Sequence, residues 1–141
     1  EMEVVTEQLY DDGVYLLQRV AESDPELAAE MEKLLVRQGG CPAGDRIVNV
    51  DNRGNVHLCP YWQDRTIGNI REQKLSDICF DEENEILTMM KDKTQYLKGK
   101  CGRCMHKHLC RGCGARAEEM CGDPFGADPA CYLTEEEVTT V

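Results

Sequence analysis

Apolar residues recur at helical spacing from about Asp11, with Val14, Leu17, Val20 and Ala21 on one side, and predict a first helix. Ser23-Asp24-Pro25-Glu26 starts a second: a capping side chain precedes a proline placed where its missing N–H costs nothing. Leu27, Met31, Leu34 and Leu35 then fall at i, i+4, i+7 and i+8 and read as one core-facing stripe. Gly39-Gly40 stops that helix. Beyond it the period changes. Arg46–Asp51 and Asn55–Leu58 are short alternating runs around Asn52-Arg53-Gly54, the pattern of a β-hairpin. Ile67–Ile70 reads as a turn or short strand, and Leu75–Phe80 and Glu82–Lys91 as two short helices. Residues 115–120 allow one or two helical turns, and 121–130 is loop. Val4-Val5-Thr6 reads as a short strand, and Thr134–Val141 as an acidic, mobile tail. The fold class is α+β: a small hairpin, flanking helices, cysteine-rich loops stapled by metal, and an N-terminal helical extension.

Composition narrows the function classes. At 141 residues with 41% hydrophobic content, one domain with a modest core is expected, and bound metal can add stability. The net charge of −11 argues against binding duplex nucleic acid or an anionic membrane surface. No apolar run approaches the roughly 18 residues of a membrane span. No charged-then-apolar N-terminus marks a signal peptide, so the expected location is the cytoplasm. The chain starts at Glu1 instead of Met and reads as a piece of a longer protein.

Nine cysteines change the picture most. Four lie between Cys101 and Cys113 in the order C-x2-C-x5-C-x2-C, with Gly, Arg and Lys in the gaps. An odd count, tight spacing and no export signal favour metal over disulfides. Cys41 and Cys59 flank the two open ends of the predicted hairpin. With Cys131, seven thiols make nearly two four-ligand sites. Zinc and iron–sulfur clusters both take such thiolates. The C-x5-C step is less usual for zinc, while Gly102, Arg103, Lys107, Arg111 and Gly112 suit N–H donation to sulfur and balance of cluster charge. Cys79 reads as a small buried hydrophobe. Cys121 stands in the ligand loop and is open to either role. His106 and His108 flank Lys107 and read as solvated. His57 alternates with Val56 and Leu58 and is expected to face a cluster or a partner domain. Lys98, Lys100, Arg103, Lys107, Arg111 and Arg116 form a basic island that either neutralises cluster charge or docks carboxylates. Tyr61-Trp62 either shields a cluster or fills core.

The order Cys41-x12-Gly54-x4-Cys59, then Cys101-x2-Cys104-x5-Cys110-x2-Cys113, then Cys131 resembles the SPASM domain, the auxiliary-cluster module of many radical S-adenosylmethionine (SAM) enzymes. The usual pattern has three residues where two separate Cys110 from Cys113. Gly54-Asn-Val-His57, Gly68-Asn69-Ile70-Arg71, Leu97-Lys98-Gly99-Lys100-Cys101-Gly102 and Asp128-Pro129-Ala130-Cys131-Tyr132-Leu133-Thr134 are similar to the branch that modifies tetrapyrroles in haem d1 and siroheme-dependent haem synthesis. That resemblance implies a linker over 1–40 from a radical SAM barrel, an auxiliary domain over 41–133, and the tail 134–141. It implies two clusters of [4Fe–4S] type. Cys101, Cys104, Cys110 and Cys131 would hold one, and Cys41, Cys59 and Cys113 the other, whose fourth corner would be open or taken by Cys121 or a non-cysteine group, unless that cluster is a smaller one. The implied partners are a radical SAM domain in cis, a ferredoxin or flavodoxin as electron donor, and a tetrapyrrole or peptide substrate. The C-x3-C-x2-C loop that holds a SAM-cleaving cluster is absent from these residues, so the chain is not expected to be catalytic alone. The contrasting expectation is a zinc-stapled interaction domain with no redox role.

Overall fold

The computed structural model describes residues 10–139; the strand expected at Val4-Val5-Thr6 lies outside them. The chain divides into two units, one of residues up to Cys41 with those from Leu97 onward, the other of Pro42–Tyr96.

In the first unit, α1 (Tyr10–Ala21) and α2 (Pro25–Gln38) pack against each other. Asp24 caps α2 by accepting the Leu27 N–H at 3.0 Å, and Gly39 ends it in the left-handed conformation. The stripe on α2 differs from the expected one. Leu27 and Leu34 are 50% and 57% exposed, and the buried line is Ala28 and Leu35, with Met31 packed against it. The helix is turned by its neighbour: a Cβ on Gly13 of α1 would lie 2.6 Å from Leu35, so the bare backbone at Gly13 lets Leu35 seat there. Three short helices follow, α5 (Gly99–Arg103), α6 (Lys107–Cys110) and α7 (Gly114–Cys121), and α6 packs on both α1 and α2.

Residues 134–139 are not a loose tail. Val138 is fully buried in the core with Val14, Leu17, Leu109 and Leu133. The Met105 N–H donates to the Val138 carbonyl at 2.9 Å. Thr134 and Glu137 exchange hydrogen bonds at 2.7 and 3.2 Å, a reciprocal cap that fixes this turn. Arg19 reaches Glu137 from α1. The acidic character of the segment hid one apolar anchor.

In the second unit, β1 (Asn49–Val50), β2 (Asn55–His57) and β3 (Thr66–Asn69) form an antiparallel sheet in that order, with Val50 opposite Val56 and Val56 opposite Gly68. The expected hairpin is there, but its first strand starts late. The Pro42 carbonyl accepts the N–H groups of Asp45, Arg46 and Ile47, which winds 42–47 into a turn. Asp51 locks the hairpin turn by accepting the Arg53 and Asn55 N–H groups at 2.8 and 2.9 Å and the Asn55 amide at 2.8 Å. Desolvation works against its charge, yet the Asn55 and Arg53 donors and His57 hold its pKa at about 2. Two short helices complete the unit: α3 (Leu75–Cys79), which packs on β3, and α4 (Glu85–Lys91). Ile78, not Cys79, is the buried residue of α3; Cys79 is half-buried. Trp62 is buried while Tyr61 is 69% exposed, so the pair divides between core and surface.

Candidate metal centre

Four of the expected thiols meet within the first unit. Cys101 lies on α5, Cys104 follows that helix, Cys110 ends α6, and Cys131 arrives on the loop after α7. All four line one small, partly open cavity. Val14, Leu97, Leu133 and Val138 give the same cavity an apolar wall. Among the described residues, no three Cys, His, Asp or Glu side chains close about a single ion position.

The turn after Cys110 separates the thiols. Arg111 and Gly112 both adopt left-handed backbone, at φ 65° and 55°. This double reversal leaves Cys110 on the cavity wall and carries Cys113 off it. Gly112 passes so close that a Cβ would lie 3.3 Å from the Cys101 sulfur. Burial chiefly, and a Cys41 thiolate to a lesser degree, oppose the ionisation of Cys113. The Cys41 N–H donates to the Cys110 carbonyl at 2.9 Å, so the two thiol groups share a backbone tie. Cys59 lies in the second unit, buried just past β2. Cys121 is exposed at the far end of α7 from Cys113, about 12 Å along the axis at the usual helical rise.

Backbone N–H groups point at the sulfurs, as cluster ligands require. Asp128 donates to Cys101 Sγ at 3.2 Å and Gly112 to Cys110 Sγ at 3.4 Å. Lys100 and Lys107 also line the cavity. Burial nevertheless pushes the thiols of Cys101, Cys104, Cys110 and Cys113 above their ordinary value of 9.0. Without a cation they stay protonated at neutral pH; coordination to a metal would ionise them. The sign for stability follows. Thiols whose folded pKa is raised stabilise the metal-free fold below about pH 9 and lose that contribution as pH rises further. The unfolding midpoint of the reduced, metal-free chain is expected to fall between pH 7.5 and about 10, and thermal melts with chelator and reductant read it.

The side chains of the basic island make contacts within the chain. Lys98 pairs with Asp123 at 2.7 Å and Arg103 with Glu135 at 2.6 Å. Lys100 donates to the Cys131 and Leu133 carbonyls at 3.1 and 2.8 Å, and Lys107 to the Gly102 carbonyl at 3.3 Å. Arg111 is buried. Arg116 bridges Asp11 and Asp128, both buried carboxylates. Burial raises the Asp11 pKa. Burial also opposes the charge of Asp128, but Arg116 and the Ala130 and Cys113 N–H groups keep it ionised below the usual range. His106 is not free in solvent: it is half-buried and its Nε2 meets the Gln18 amide at 3.2 Å, with burial lowering its pKa. His108 is exposed. His57 is buried, with Nδ1 3.2 Å from the Arg65 carbonyl and Nε2 3.5 Å from Asp51. Sequence spacing found the thiols and placed Arg116 in a basic island, but it did not reveal that Arg116 joins Asp11 to Asp128.

Residues 41–105 match SPASM, an iron–sulfur cluster-binding domain. The chain is 34% identical over 141 residues to a pre-heme d1 synthase of Dinoroseobacter shibae, covering 99% of this chain and 35% of that protein. It is 36% identical over 140 residues to an Fe-coproporphyrin III synthase of Methanosarcina barkeri, covering 96% of this chain and 35% of the other. An AdoMet-dependent heme synthase of the same organism is 39% identical over 92 residues, 65% of this chain and 25% of that one. The chain thus spans about a third of the length of the first two curated relatives. No solved structure matches it.

Proposed function

We propose that the chain is the auxiliary-cluster region of a radical SAM enzyme acting on a tetrapyrrole, a reading supported by the match of residues 41–105 to the SPASM iron–sulfur cluster-binding domain and by the similarity of nearly the whole chain to a pre-heme d1 synthase and an Fe-coproporphyrin III synthase. Cys101, Cys104, Cys110 and Cys131 hold one [4Fe–4S] cluster. Four thiols around one cavity, two of them receiving backbone N–H groups, carry this reading. Cys41, Cys59 and Cys113 hold a second cluster, supported by the hydrogen bond from the Cys41 N–H to the Cys110 carbonyl, three residues before Cys113. Cys121 is set aside as its fourth ligand because it is exposed at the wrong end of α7, which leaves an open corner, a non-cysteine group or a smaller cluster.

A bound cluster supplies one-electron transfer. The chain's residues do the rest. Asp128 and Gly112 direct N–H dipoles at ligand sulfurs, which favours the charge they carry. Lys100 and Lys107 set positive charge at the wall, and Val14, Leu97, Leu133 and Val138 limit water. Electrons would pass between these clusters and a ferredoxin or flavodoxin, with the SAM-cleaving cluster held by the rest of the enzyme. The relatives' names favour a tetrapyrrole over a peptide. A cavity ringed by sulfur suits a cluster with several metal corners better than one zinc ion.

Anaerobic reconstitution of the whole chain with iron and sulfide is expected to give about eight iron and eight sulfide per chain, with broad charge-transfer absorption in the visible. A colourless chain holding stoichiometric zinc overturns the proposal.

A further inference from the structure

Asp128 contacts one residue from each set of cysteines, the sulfur of Cys101 and the backbone of Cys113. Its backbone N–H donates to Cys101 Sγ at 3.2 Å. Its carboxylate accepts the Cys113 N–H at 2.6 Å. These are ligands of different clusters in the assignment above. The carboxylate is held on its other side by a two-pronged contact, Arg116 Nε to Oδ1 at 2.9 Å and Nη2 to Oδ2 at 2.7 Å. Arg116 also reaches Asp11 of α1 at 3.2 Å. Asp128 is 3% exposed, so water screens its charge little.

We propose that Asp128 is a positioning residue that couples the two cluster sites: it fixes the Cys113 backbone relative to the Cys101 sulfur, and its buried charge sets both reduction potentials together. The coupling rests on the two-cluster reading; the tie to Cys113 does not. Adding an electron to either cluster brings negative charge toward the same carboxylate. Removing that charge while keeping the side chain's shape therefore makes both clusters easier to reduce.

The test is Asp128→Asn in the whole chain. In the metal-free protein, amide hydrogen exchange at Cys113 is expected to accelerate about tenfold or more, as a buried charge-assisted hydrogen bond weakens. In the reconstituted protein, iron content stays near the wild-type value and both cluster signals shift to higher potential in an EPR-monitored redox titration. Glu135→Gln removes an equal charge from the exposed pair with Arg103 and moves neither signal, since solvent screens it. Arg116→Lys keeps the charge but loses the two-pronged fit; it accelerates the Cys113 exchange without raising both potentials. Unchanged Cys113 exchange in Asp128→Asn overturns the positioning role. A shift of one signal alone, or an equal shift in Arg116→Lys, overturns the charge coupling. Wild-type protein that loads only about four iron sinks the two-cluster reading instead, and the Cys113 exchange rate still judges the tie.

Discussion

Cys104→Ala is expected to cost the reconstituted chain about half its iron, roughly four of eight atoms, while Cys79→Ala and Cys121→Ala cost almost none. Cys104 is half-buried on the wall of the four-thiol cavity. Its removal leaves one cluster corner without a thiolate and admits water there, so the whole cluster is lost, not one atom of it. Cys79 sits in the second unit on α3, and Cys121 faces solvent at the end of α7. Iron and acid-labile sulfide analysis after anaerobic desalting reads all three variants. Equal losses from Cys104→Ala and Cys79→Ala would refute the ligand assignment. Retention of the second cluster's EPR signal in Cys104→Ala would show that the loss is local and not unfolding.

Gly40→Ala is expected to be the most damaging single methyl group in the first unit. Gly40 has φ 64°, where an alanine costs about 1–2 kcal/mol. The added Cβ would also lie 2.5 Å from the Cys110 carbonyl oxygen, 2.7 Å from its carbon and 2.8 Å from the Leu109 oxygen. All three are backbone atoms, so no side chain can swing aside, and the overlap adds about 1–3 kcal/mol. A chain of this size should lose roughly 6–15 °C in unfolding midpoint. The relief runs through Cys110: α6 must back away, and the Cys41 N–H loses the Cys110 carbonyl that it meets at 2.9 Å. Metal uptake falls with stability. Gly122→Ala is the control, since Gly122 has φ 72° but nothing within 4 Å of its would-be Cβ. It should show the backbone cost alone, and similar midpoints for the two variants would remove the clash from the account.

What the sequence disclosed follows the range of each interaction. Asp24-Pro25 and Gly39 mark the ends of α2 because caps involve residues three or four apart. The thiol ring was legible for a similar reason: three of its four members sit within ten residues, too close together for core packing to require them all. The stripe on α2 was not. Leu27 and Leu34 lie on one flank of a broad apolar face, Ala28 and Leu35 on the other, and Gly13 on α1 decides which flank is covered. The start of β1 depended on how many N–H groups the Pro42 carbonyl would gather. Asp11, Arg116 and Asp128 form one charged group with partners 105 and 12 residues apart, which no local pattern encodes. The closing residues misled because Thr and Glu fill most of 134–141 and show no period that would mark a core segment, while among the described ones Val138 supplies the buried contact.

The first unit is interrupted in sequence by the whole of the second. Its cavity wall draws on Val14 near one end and on Cys131, Leu133 and Val138 near the other. During synthesis, α1 and α2 must therefore wait for the later residues Leu109, Leu133 and Val138 before their apolar faces are covered. Cys41, Cys59, Cys101, Cys104 and Cys110 are all made before Cys131 completes the ring. Through that interval they are reduced, accessible and open to oxidation or to the wrong metal. A four-thiol cluster site built on that ring can be completed only after Cys131 has been made, so the earlier thiols stay exposed until the segment around Cys131 closes over them.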